Sequence, residues 1–163
     1  MNWKRWIGIT ALAVSTVAIA QDPLFSKNPT DFHSAAAIHE EAAKLLVEAK
    51  ANPEGIAQFK MGAYPGHNVT LTVRVKSGQG EMHANWSDVF IVIDGEATVL
   101  TGGKLDTPVS KADGEFRGTK VVGGSGQSLH PGDVFHIAPG VPHQTTVAPG
   151  KTFTYMVVKA ARQ

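Results

Sequence analysis

The sequence predicts an all-β domain entered through one N-terminal α-helix. Two observations carry this. After Gly55 the chain runs as short alternating or β-branched stretches, closed by glycine, proline or Asp-Gly. Before it, between about residues 30 and 50, apolar residues recur at helical spacing. Many short strands behind a single helix argue for a barrel or a sandwich. With 163 residues the chain is long enough for a real core, and it shows no internal repeat and no second domain.

The first 20 residues stand outside the fold. Lys4 and Arg5 precede an apolar run from Trp6 to Ala20, and Ala18-Ile19-Ala20 gives a small-x-small cleavage pattern. This is the form of a secretory signal peptide, too short for a full membrane span. The expected organisation is a signal peptide over 1–20, an arm and helix over 21–55 and a β-barrel over 56–163. Its compact, bacterial style points to the periplasm or the exterior. Cleavage after Ala20 leaves 143 residues with 13 basic against 14 acidic side chains, a net charge of −1. No basic footprint for nucleic acid remains, and no polybasic membrane patch. The chain has no cysteine. Disulfides, a thiol nucleophile, a thiolate zinc site and a lipid-attached N-terminus are all excluded. Sequons at Asn68 and Asn85 matter only in a eukaryotic secretory pathway.

In chain order, Gln21 to Asn28 reads as an irregular arm. Thr30 or Ser34 can cap a helix running to about Lys50, with Ile38, Ala42, Leu45, Leu46 and Ala49 on one stripe. Asn52-Pro53-Glu54-Gly55 ends it. His33 and His39 are six apart and point in different directions, as exposed polar residues do. The helix packs on a sheet, covers an edge or serves a dimer contact. Ile56–Lys60 is a short strand, Tyr64-Pro65-Gly66 a turn, and His67–Lys76 a strand with Val69, Leu71, Val73 and Val75 on one face. His67 shares that face and is expected inside, near the mouth. After a polar connection from Gly102 to Gly114, further strands are expected at Glu115–Val122, Gln127–His130, Asp133–Ile137, Gln144–Val147 and Thr152–Lys159. Gly123-Gly124-Ser125-Gly126 lacks the Lys-Ser/Thr ending of a phosphate loop and reads as a turn.

Residues 80 to 103 carry the chemistry. Glu81 and His83 are two apart, so on a strand they share a face. Asn85-Trp86-Ser87 reads as a turn, Asp88 opens Val89–Ile93, and Asp94-Gly95 signals a hairpin. Two carboxylates and an imidazole gathered at a hairpin end are raw material for a divalent-metal site. The second stretch runs from Gly132 to His143, where a Pro-Gly-x-Pro corner aims His143.

Together these stretches resemble the cupins, small jelly-roll barrels. The first cupin motif runs His-x-His, four residues, Glu, six residues, Gly. Glu81-x-His83, four residues, Asp88, six residues, Gly95 keeps that spacing. The second runs Gly, five residues, Pro-x-Gly, two residues, His, and Gly132, Ala138-Pro139-Gly140 and His143 keep it too. Glu81 replaces the first His, Asp88 the Glu, Ala138 the Pro and Val147 the trailing Asn. The resemblance implies a cupin jelly-roll β-barrel with one N-terminal α-helix, and a divalent metal held by Glu81, His83, Asp88 and His143. That donor set suits Mn, Fe, Zn or Ni better than Ca or Mg. Two carboxylates nearly neutralise such an ion. Asp88, a methylene shorter than Glu, is a ligand or a partner of His83.

Other residues weigh less. His136 could face the cavity as a proton shuttle, and Asn85 has the parity of Glu81 and His83. Phe90, Phe135, Tyr155 and Met156 read as core, Arg117 as a surface residue and His130 as a turn residue. Three functions fit: a metal-dependent enzyme of dioxygenase, isomerase or lyase type on a small organic substrate; a non-catalytic periplasmic sugar- or small-molecule-binding cupin; and a structural dimeric barrel. A homodimer is expected, with a small-molecule ligand as partner, no nucleic acid and no membrane contact after cleavage. N-terminal sequencing of exported material should begin at or near Gln21; an intact Met1 would refute cleavage.

Overall fold

A computed structural model describes residues 30–111 and 114–162. The expected signal peptide, its cleavage site and the 21–28 arm lie outside the described residues. The helix is α1 (Ala35–Ala51), and Ser34 caps it, its hydroxyl accepting the Ala37 N–H at 3.1 Å. Asn52 closes the other end: its N–H donates to Glu48 O, and its side chain donates to Ile56 O at 2.7 Å. Leu45 and Ala49 are buried, with Ile38, Ala42 and Leu46 packed beside them, as the stripe predicts. Their partners are Ala57, Leu71 and Val73 of the first two strands. Among the described residues no helix is long and apolar enough to cross a membrane.

The strands are β1 (Ile56–Tyr64), β2 (His67–Arg74), β3 (Gly80–His83), β4 (Trp86–Gly95), β5 (Ala97–Thr101), β6 (Lys104–Leu105), β7 (Val109–Ser110), β8 (Glu115–Gly118), β9 (Val121–Val122), β10 (Ser125–Leu129), β11 (Val134–Ile137), β12 (His143–Thr146) and β13 (Phe153–Ala161). A five-stranded sheet has the order β1-β2-β13-β4-β11, and a six-stranded sheet the order β10-β5-β12-β3-β8-β7. A ribbon, β6-β9, stands apart. The chain crosses between the two large sheets at β2–β3, β3–β4, β4–β5, β10–β11, β11–β12 and β12–β13. This is a jelly roll. Among the described residues no strand pairing joins the large sheets, so the barrel is two facing sheets.

The hairpin expected at Asp94-Gly95 is not formed. β4 pairs with β13 and β11, whereas β5 pairs with β10 and β12. The same local chemistry serves a sheet-to-sheet corner instead. Gly95 has φ 76°, and a Cβ there would lie 2.0 Å from Thr152 O. β1 extends to Tyr64 because a register shift between Lys60 and Gly62 lets pairing resume. The single strand expected at 115–122 splits into β8 and β9. At Gly118 the chain wraps so closely on Asp106 that a Cβ would sit 2.5 Å from its carbonyl oxygen.

The core between the sheets is apolar at one end. Phe90, Val92, Val99, Leu129, Ile137 and Phe153 are buried there, and Tyr155 stacks on Phe153 at 4.5 Å. A second core lies under α1, on the outer face of the five-stranded sheet. The apolar face of β2 therefore points outward to the helix, and its polar face, with Thr70, Thr72 and Arg74, points between the sheets. His67 is exposed rather than inside, and stacks on Tyr64 at 4.8 Å.

Gly95→Ala is expected to lower the urea midpoint more than Gly132→Ala. Both have positive φ, 76° and 90°, which costs a side chain about 1–2 kcal/mol. Only Gly95 also meets backbone; at Gly132 nothing lies within 4 Å. Equal midpoints would show that the approach to Thr152 does not fix this corner.

Candidate metal centre

Strand periodicity assembles the site. Glu81 and His83 project from one face of β3, and His143 opens β12, its backbone directly opposite Glu81. The corner before it is anchored by Gly140 N–H donating to His83 O at 2.8 Å. Asp88 arrives from β4 in the facing sheet. The four residues singled out by their spacing are thus brought together. His83, Asp88 and His143 are buried, with His143 only 1 % exposed.

Both imidazoles are held the same way round. His143 Nδ1 donates to Val141 O at 3.0 Å, and His83 Nδ1 donates to Glu115 Oε2 at 2.5 Å. Each ring therefore presents Nε2 inward. His83 Nε2 lies 3.2 Å from Asp88 Oδ2 and 3.9 Å from Glu81 Oε2. His143 Nε2 lies 3.4 Å from Asp88 Oδ2 and 3.5 Å from Glu81 Oε1. In spite of these approaches, His143 Nε2 and Asp88 Oδ1 are buried without a well-oriented hydrogen bond.

Ligand atoms of Glu81, His83 and His143 all lie within 4.8 Å of one another. An ion with ligands at about 2.0–2.2 Å requires separations of roughly 3–4 Å, and the separations of Glu81 from His83 and His143, 3.9 and 3.5 Å, fall in that range. An orphaned imidazole nitrogen among carboxylates is what a cation satisfies. The residues fit a metal ion.

A second layer surrounds the group, and little of it was visible in the sequence. Glu115 and Arg117 of β8 share a face. Arg117 pairs with Glu81 and Glu115 at 3.2 Å each, so it belongs to the site and is not the isolated surface residue expected. Lys159 of β13 donates to Glu115 Oε1 at 3.3 Å and lies 3.2 Å from His83 Nδ1. The available signals were the i, i+2 pair Glu115/Arg117 and a lone Lys in an otherwise apolar final strand. Asn85, a candidate for the cavity wall, and His136, read as either a cavity-facing shuttle or a structural histidine, are exposed. Asn85 falls in the bend between β3 and β4, where strand parity lapses, and His136 points outward from the edge strand β11. Phe90 and Tyr155 are core, as expected, and also wall the cavity. That cavity, about 440 Å³ between the sheets, opens on Glu81, His83 and Asp88.

The charges are tightly interlocked. Burial acts to raise the Glu81 carboxyl, but His143, Arg117 and His83 outweigh it and bring it down to about 2. Burial opposes ionisation of Asp88 too, yet His143, His83 and Lys159 hold it well below the usual carboxylate range. For His143, burial favours the neutral ring, and the adjacent Asp88 and Glu81 reverse this, raising it to about 9. Without metal, a proton at His143 is therefore the cation between the carboxylates at neutral pH.

No family model and no curated protein matches the chain. Among solved structures, a recombinant oxalate oxidase in complex with glycolate matches at a TM-score of 0.50 and 16% identity, over 69% of this chain and 54% of that one. The polyketide cyclase RemF from Streptomyces resistomycificus matches at 0.47 and 18%, over 66% of each chain. A cupin superfamily protein from Desulfitobacterium hafniense matches at 0.46 and 12%, over 66% of this chain and 78% of its own. The chain spans about half of the oxalate oxidase and just under two thirds of RemF. At these identities the likeness is one of fold. The fold is that of the cupins, with a Glu/His/His cluster able to hold a metal between its sheets.

The metal-free protein should have a defined pH optimum of stability. His143, raised to about 9, contributes fully below about 6.5 and loses its contribution as pH rises through about 9. Glu81, lowered to about 2, contributes above about 4.5 and loses its contribution as pH falls towards 2. With chelator present, Tm should therefore peak between about pH 4.5 and 6.5. His143→Gln should flatten the alkaline decline. A wild-type Tm that rises between pH 6.5 and 9 would contradict the assignment.

Proposed function

We propose that the protein is an exported cupin-fold enzyme that binds one divalent metal ion, Mn, Fe, Zn or Ni, and acts on a small organic substrate by a dioxygenase, isomerase or lyase-type reaction. The single observation that carries this is the buried Nε2 of His143, without a hydrogen-bond partner, facing Glu81 and Asp88 beside a cavity of about 440 Å³. Glu81, His83 and His143 would hold the ion, with Asp88 as the fourth ligand. When bound, it supplies a Lewis acid that polarises a substrate oxygen.

The chain's own groups do the rest. Glu115 and the Val141 carbonyl hold the two imidazoles with Nε2 inward. Arg117 and Lys159 offset the charge of Glu115 and Glu81. Phe90, Tyr155 and Val157 supply the apolar part of the cavity wall. A second reading, a non-catalytic sugar- or small-molecule-binding cupin, is favoured by the polar wall of Gln58, Asn68 and Thr70. Secretion through cleavage after Ala20 and assembly as a homodimer complete the proposal; light scattering of the mature chain tests the latter.

Elemental analysis of mature protein, purified without chelator or histidine tag, should find about one equivalent of Fe, Mn, Ni or Zn. His83→Ala and His143→Ala should each lose it. Full metal in both variants would refute the ligand assignment. Absence of metal after titration with each of these ions would favour the binding module.

A further inference from the structure

Arg74 is a cavity-lining cation with no carboxylate partner among the described residues. It ends β2 on the polar face of the strand, and it lines the same cavity as Glu81 and His83. Arg117 and Lys159, the other cations there, are engaged by Glu81 and Glu115. Among the described residues, no Asp or Glu oxygen lies within ion-pair distance of the Arg74 guanidinium. Its one hydrogen bond runs from Nε to the hydroxyl of Tyr155, at 3.1 Å.

The guanidinium is held in place. A Cβ on Gly78 would lie 2.8 Å from Nη1 and 3.0 Å from Cζ and Nη2, so the glycine backbone lies against it. Gly78 is itself fixed. Its N–H donates to Thr145 O at 2.9 Å, and its carbonyl accepts from Gln144 Nε2 at 2.8 Å. Nε is thus tied down, and both terminal nitrogens are left without a partner among the described residues. A planar fork with two unused donors matches a carboxylate, which accepts two parallel N–H bonds.

We propose that Arg74 is an anion-recognition site that takes the carboxylate of a small organic acid. The further statement, that the rest of the acid faces the Glu81/His83/His143 centre, rests on the metal-dependent reading above. One unneutralised positive charge suits a monoanionic group. A phosphate dianion would need a second free cation, and the neighbouring ones are paired. The volume of about 440 Å³ falls within the roughly 300–1,000 Å³ of small-molecule sites and suits a small acid better than a polymer. Arg74, its partner Tyr155, Glu81 and His83 all line this one cavity.

The test is isothermal titration calorimetry with acetate, propionate and succinate, each against its own amide, on metal-loaded and chelator-treated protein. The acids should bind and the amides should bind about tenfold more weakly or worse. Arg74→Gln should weaken the acids by about tenfold or more and leave metal content unchanged. Gly78→Ala should do likewise by displacing the guanidinium; it keeps the proposal testable if Arg74→Gln fails to fold. Acids that bind no better than amides, that bind both variants as tightly as wild type, or that bind more weakly than inorganic phosphate would overturn the site. Acid binding that depends on Arg74 but survives chelation supports the site even if the metal reading fails. Bound metal with Arg74-independent acid binding overturns the site and leaves the metal reading standing.

Discussion

Two imidazole nitrogens and the oxygens of two carboxylates converge on one buried point. Each imidazole is fixed with its Nε2 lone pair inward, by Glu115 for His83 and by a backbone carbonyl for His143. Acceptors packed this closely repel unless a cation or shared protons sit among them. The rest of the site answers to that constraint. Arg117 and Lys159 ring the outside, and His143 carries a proton well above its ordinary range when nothing else supplies positive charge. Glu81 deepens the demand, since it adds a second anion beside Asp88.

This polar cluster is possible because the apolar work is done elsewhere. Phe90, Val99 and Phe153 fill one end of the space between the sheets, and α1 seals the outer face of β1 and β2 with Leu45 and Ala49. Burying a Leu in that way contributes about 1.5–3 kcal/mol. The inner face of β2 is thereby free to carry Thr70, Thr72 and Arg74 towards the cavity. An amphipathic strand does not reveal which of its faces is the inside when a helix offers a second apolar layer.

The all-β class, the helix and its stripe, and the buried Glu81/His83/Asp88/His143 cluster were legible in the sequence. The cluster was legible because strand periodicity and a fixed motif spacing tie Glu81, His83 and Asp88 together within eight residues. Glu115, Arg117 and Lys159 were not, because they reach the site through pairings far apart in sequence, β3 with β8 and β4 with β13. Asp94-Gly95 was misread for a related reason. The pair encodes a tight reversal with positive φ, and nothing local says whether the next strand pairs with the last or leaves for the opposite sheet. His67 and His136 erred through face assignment alone.

The origins of the clustered side chains have a mechanical consequence. Glu81, His83 and His143 belong to the six-stranded sheet and Asp88 to the five-stranded one. Lys159 and Glu115 make a second tie across the same gap. At the closed end, by contrast, the sheets are joined by hydrocarbon. The molecule is built like a book with a greasy spine and a charged clasp. Salt and proton concentration act on the clasp, while temperature and denaturant act chiefly on the spine. The two ends can loosen under different conditions.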